Sequence, residues 1–236
     1  MVSQLAAAAA AAVPTAGLGH QPAITAVEGA TDDQLVARAV TGDVEAFGAL
    51  AERYKRPVYA LAYRMLGNAA DAEDAAQETL VRAYTRLTTY QPGGKFGSWL
   101  LAITSHWCID YLRRRRAVSL EAVTEGAAGG AGLGVRAPLP GLPEELEQPE
   151  ALAMQAERRM EVQGWLASLP APYRRVLVLR YWHDLSYAEI SRAIGQPVST
   201  VRMRLFRARQ FLGKTCGEEY AALTGVPARQ HPSAAA

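Results

Sequence analysis

Between Asp32 and Ala117 the apolar residues recur every three or four positions and nowhere alternate with polar ones over the length of a strand. That period suits helices and leaves no sheet, so the expected fold class is all-α. Thr31 or Asp32 can cap a first helix with Leu35, Val36 and Ala39 on its apolar face. Asp43 opens a second, where Phe47, Leu50, Ala51 and Tyr54 keep helical spacing. Pro57 should begin or kink the next, carrying Val58, Leu61, Ala62 and Met65 up to a stop at Gly67-Asn68. The stretch DAEDAAQETLVRAYTRL then has acids in its first turn, where the helix dipole favours them. Its stripe of Ala76, Leu80, Ala83 and Leu87 leaves Asp74, Gln77, Glu78 and Arg82 for another surface. After the loop TTYQPGGK, Leu100, Ile103, Trp107 and Tyr111 mark a last buried face.

The pattern breaks where EGAAGGAGLG and APLPGLPEELEQPE combine glycine freedom, proline stiffening and clustered glutamates. Two folded blocks are therefore expected. The boundaries read as an Ala-rich disordered arm over 1–30, a helical bundle over 31–117, a flexible linker over 118–149, a second helical block over 150–214 and a tail over 215–236. The chain of 236 residues is half apolar, enough for cores in both blocks.

Net charge is only +2, from 25 basic and 23 acidic residues, so affinity for nucleic acid must come from local clustering. Cys108 and Cys216 lie far apart in no paired zinc spacing, which argues against a disulfide scaffold and fits a reducing cytosol. The opening MVSQLAAAAAAAVPTAG lacks the basic residues that precede a secretory leader's apolar run, and no later segment approaches about 18 uncharged apolar residues. A cytoplasmic location without membrane insertion is expected. There is no GxxxxGK[ST] loop and no credible set of nucleophile, base or metal ligands. No catalytic residue, metal or cofactor is therefore expected.

Charge does cluster in the second block. LSYAEISRAIG starts with a capping box, Ser186 and Glu189; G-Q-P breaks it; VSTVRMRLFRARQFLGK follows. This is the sequence form of a helix-turn-helix. Val201, Leu205, Ala208 and Leu212 share a stripe that can pack on Ala188, Ile190 and Ile194. The opposite face holds Ser199, Thr200, Met203, Phe206, Arg207 and Gln210, flanked by Arg202 and Arg204. Ser199 to Lys214 contains five basic residues and no acid, which suits a major groove.

The segment FGSWLLAITSHWCIDYLRRRR is more open. His106 and Cys108 fall on nearly opposite helical faces, too few and too divergent for a metal. Four consecutive arginines sweep about 300°, so only some can meet phosphates while others pair with Asp110. Trp99 or Phe96 near Lys95 could stack on single-stranded bases, or both tryptophans could be core, the reading that suits Trp107.

Taken in order, FGALAERYKRPVYALAYRMLGNAADAEDAAQETLVRAYTRL, the segment above and LSYAEISRAIGQPVSTVRMRLFRARQFL resemble bacterial RNA polymerase sigma factors of the extracytoplasmic-function group, a subfamily of the sigma-70 family. The resemblance implies that the first block is domain two and the second domain four, and that the chain directs promoter-specific initiation under stress. By it, Asp74, Gln77, Glu78 and Arg82 face the clamp helices of the polymerase largest subunit, while domain four meets the flap region. The loop from Tyr90 to Ser98 would capture a flipped base of the minus-ten element, giving Lys95, Phe96, Ser98, Trp99, Asp110, Arg113 and Arg114 as residues at single-stranded DNA. Ser199, Thr200, Arg202, Met203, Phe206 and Arg207 would read the minus-thirty-five duplex. An anti-sigma factor is an implied partner, and Glu144, Glu145, Glu147 and Glu150 could mimic nucleic-acid charge in the RNA exit path. Met203 departs from the family's small polar residue, and a thioether can touch a thymine methyl but cannot donate a hydrogen bond. The residues also admit a stand-alone helix-turn-helix regulator with a sensing or dimerising first block.

Overall fold

The computed structural model describes residues 29–91, 93–124 and 149–215, and every regular element among them is helical. The expected arm, most of the linker and the tail lie outside the described residues, as do Glu144, Glu145, Glu147 and Cys216.

The first block contains α1 (Asp32–Val40), α2 (Val44–Leu66), α3 (Ala69–Thr85) and α4 (Phe96–Thr124), with a 3-10 turn at Leu87–Thr89. Thr31, not Asp32, caps α1 in a reciprocal box: its hydroxyl accepts from the Gln34 amide, and its own amide donates to Gln34 Oε1 at 2.9 Å. Asp32 instead accepts from Arg53 and from the Tyr54 hydroxyl. Asp43 caps α2 through the Ala46 amide at 3.1 Å, and Asn68 caps α3 through the amides of Ala70 and Asp71.

Pro57 neither begins nor ends a helix; it lies inside the 23-residue α2. An interior proline costs about 3 kcal/mol. The buried row Ala46, Leu50, Ala51, Val58, Leu61, Ala62 and Met65 runs through that position, and its burial outweighs the cost. Gly67 ends α2 at φ 76°, a left-handed conformation that suits glycine. The other boundary difference is α4, which continues to Thr124 beyond the end expected at Ala117.

In the second block, α5 (Pro149–Ser168), α6 (Ala171–Tyr181), α7 (Tyr187–Ile194) and α8 (Val198–Thr215) follow one another. The Ser186–Glu189 box is closed in both directions, and Gly195 ends α7 at φ 63°. Ile190, Ala193 and Ile194 are the buried residues of α7, facing Val201, Leu205, Ala208 and Leu212 of α8. Ala188 is exposed, because two residues of helix turn it about 200° away from Ile190.

The blocks do not stand apart. One core, around Leu35, Leu50, Val58, Phe96 and Leu100, belongs to the first block alone. The other is shared: Leu61, Met65, Leu101, Trp107 and Cys108 join Leu166, Leu169, Val176, Ile190 and Leu205. Polar groups seal the seam. The last carbonyls of α2 accept from the second block: Gln163 Nε2 donates to Arg64 at 3.4 Å and to Tyr63, which also accepts the Gly67 amide, at 3.2 Å, and the Arg174 guanidinium donates to Met65. Arg174 also donates to the carbonyls of Ala167 and Leu169 at 2.9 and 3.1 Å.

Candidate nucleic-acid interface

The buried stripe of α8 leaves Ser199, Arg202, Met203, Phe206, Arg207 and Gln210 exposed, with Thr200 and Arg204 half-buried at the rim. Met203 and Phe206 are 50% and 52% exposed, an unusual state for large apolar side chains beside arginines. An open cavity of about 640 Å³ lies between this face and the start of α6, lined by Pro170, Pro172, Tyr173, Ser199, Thr200, Met203, Arg204 and Arg207. Arg202 leans toward the Tyr187 ring, 5.9 Å from its centroid, and Arg180 approaches the same ring at 5.6 Å. Arg209 sits off this face, donating to the Leu205 carbonyl at 3.3 Å.

The Tyr90–Ser98 loop and the start of α4 are built on a cluster of rings. Phe96 lies 5.4 Å from Tyr54, 5.8 Å from Tyr90 and 5.6 Å from Trp99 between centroids. Phe96 is only 2% exposed, so it offers no face for a base; its ring is the hub that shapes the loop. Trp99 is half-buried against Tyr90 and Phe96. Ser98 is half-buried, its hydroxyl oxygen enclosed without a hydrogen-bond partner. Lys95 is exposed and pairs with Glu189 of α7 at 3.0 Å. The Ser186 hydroxyl and amide, and then Lys95, hold the Glu189 carboxyl down to about 2.

Further along α4, Trp107 is buried and stacks on Tyr111 with centroids 5.1 Å apart. Cys108 is a free, fully buried thiol, pushed up to about 12 by burial, while His106 lies on the surface with Nδ1 2.9 Å from the Ala102 carbonyl. No group of three potential metal ligands converges among the described residues. The four arginines are all exposed but differ in partners. Arg113 pairs with Asp110 at 3.3 Å, and Arg115 with Asp71 at 3.3 Å, where the Tyr111 hydroxyl also donates at 2.8 Å. Arg114 has no ion pair among the described residues.

On α3, Asp74 and Gln77 are exposed, and Glu78 is bound to Arg82 at 2.7 Å across one turn. The four residues thus share one outer surface, opposite buried Ala72, Ala75, Ala76, Thr79 and Ala83. Arg174 and Gln163 were not among the residues singled out from sequence, and Lys95 and Glu189 were singled out for other roles and not as a pair. Their partners lie far away along the chain, and only the arginines set in the apolar run of PYRRVLVLRYW signal an unusual burial.

The sequence model described as Sigma-70 region 2 matches residues 50–118, and that described as Sigma-70, region 4 matches residues 159–212. The chain is 36% identical over 174 residues to the ECF RNA polymerase sigma factor SigW of Bacillus subtilis, covering 73% of this chain and 90% of that one. Among solved structures, CnrH in complex with the cytosolic domain of CnrY is similar with a TM-score of 0.55 and 25% identity, over 80% of this chain and 98% of CnrH. The sigma factor RpoE of Bartonella quintana, solved with the anti-sigma factor NepR, shares the fold at a TM-score of 0.52 and 18% identity, over 72% of this chain and 96% of RpoE. The chain is an ECF sigma factor of the sigma-70 family, a non-enzymatic protein that directs transcription initiation.

Proposed function

We propose that this sigma factor divides promoter reading between its two blocks: α8 enters the major groove of the minus-thirty-five element, and the Tyr90–Ser98 loop with α4 holds the opened minus-ten strand. The observation that carries the reading is the outer face of α8, where Arg202, Met203, Phe206 and Arg207 stand exposed opposite a fully buried stripe. At the opened strand, Trp99 supplies an aromatic ring for stacking, and Lys95 and Arg114 supply cations for phosphates. Asp110 and Arg113, paired in the free protein, exchange partners when DNA arrives. Strand capture by these groups needs no nucleotide hydrolysis.

Asp74, Gln77, Glu78 and Arg82 are the face for the clamp helices of the polymerase largest subunit, and the second block meets the flap region. The exposure of Asp74 and Gln77, with half-buried Glu78 and Arg82 beside them on the same side of α3, supports this assignment. An anti-sigma factor is the regulatory partner, a proposal supported by the likeness to RpoE, whose structure includes one.

Run-off transcription with purified core polymerase on a promoter library tests the whole reading. Arg202→Ala and Arg207→Ala should each weaken upstream-element binding by about 1–3 kcal/mol with core binding intact. Asp74→Lys with Glu78→Lys should do the reverse; unchanged core affinity in that double variant would sink the clamp assignment.

A further inference from the structure

We propose that Met203 selects a thymine in the duplex promoter element by contact between its side chain and the C5-methyl group. The proposal rests on α8 being the major-groove helix. Met203 stands in the N-terminal half of α8, the part of a recognition helix that reaches base edges. It belongs to neither core, and it lines the open cavity together with Ser199, Thr200, Arg204 and Arg207. Arginines on this wall, with no acid from Ser199 to Lys214, make a polyanion the occupant.

Within such a groove Met203 can do little by hydrogen bonding, since a thioether has no donor and is a weak acceptor. Thymine presents the one apolar group on the major-groove edges of the four bases. The unbranched, polarizable side chain can follow a methyl through small changes of register. Any other base beneath it would put a polar edge against a group unable to satisfy it.

The test uses holoenzyme assembled from core polymerase and the full chain, with promoters in which each upstream thymine is replaced in turn by deoxyuridine. That replacement deletes the methyl group alone. At one position the wild type should lose about fourfold in affinity, the worth of one buried methyl. Met203→Ala should lose that discrimination, and Met203→Leu should retain most of it. No sensitive position, or equal sensitivity in Met203→Ala, overturns the proposal. Failure of the underlying reading looks different: Arg207→Ala would then leave duplex affinity unchanged as well.

Discussion

Gly97 follows Phe96 in the first turn of α4, and a Cβ there would stand 2.6 Å from Tyr54 Cε1. Tyr54 cannot swing away cheaply, since its hydroxyl donates to Asp32 and its ring packs on Phe96. Gly97→Ala should therefore cost about 1–3 kcal/mol, read as a lowered melting temperature. The ring cluster beneath the minus-ten loop is the part that would move. His183 tests a different physics. Burial, and then the Arg64 guanidinium, push its imidazole down to about 4 from an ordinary 6.5, with Asp184 opposing, and its Nε2 is enclosed without a partner. Below pH 6.5 the unfolded chain binds a proton that the folded chain refuses, so stability falls as pH drops from 6.5 toward 4. His183→Gln should shrink the difference in melting temperature between pH 7 and pH 5, and an undiminished difference would assign it to other groups.

At the scale of the element, local chemistry explains most boundaries. Thr31 with Gln34 and Ser186 with Glu189 are capping boxes readable from their spacing, and both are closed in the structure. Ser186→Ala should destabilise the protein by about 1 kcal/mol, and Ser186→Thr by much less, measured by chemical denaturation. Equal losses in the two would show that the hydroxyl is not what counts. Pro57 marks the limit of local reasoning. Its ring and missing N–H argue for a break, yet α2 runs through it because the residues on either side bury one continuous face. The α4 boundary slipped for the opposite reason, since nothing in the residues after Ala117 forces a helix to end before Thr124.

For the whole molecule, the seam is the feature that makes the two blocks one cooperative unit. Arg174 is 8% exposed, and its guanidinium satisfies one carbonyl of α2 and two of its own block. Burial alone pushes it down to about 10. Replacing it by alanine leaves three enclosed carbonyls short of a donor, at about 1–3 kcal/mol for a buried unsatisfied group. Arg174→Ala should thus uncouple the blocks, so that calorimetry finds two unfolding transitions in place of a single cooperative one. A single transition shifted as a whole would mean that the apolar contacts suffice to join them.

Helix content, the division into two blocks, the helix-turn-helix and its outward basic face were all legible in the chain, because each depends on residues within a turn or two of one another. The burial of Trp107, the exposure of Met203 and Arg207, and the separation of His106 from Cys108 follow from the same periodicity. Phe96 and Ala188 were misjudged where a neighbour from elsewhere, or the precise angle around the helix, decided burial. Only the tertiary structure decided that the blocks share a core, that Lys95 meets Glu189 and that Arg174 seals the end of α2. Those contacts join residues with no periodic relation along the chain, and they form only when two surfaces built by local rules find each other complementary.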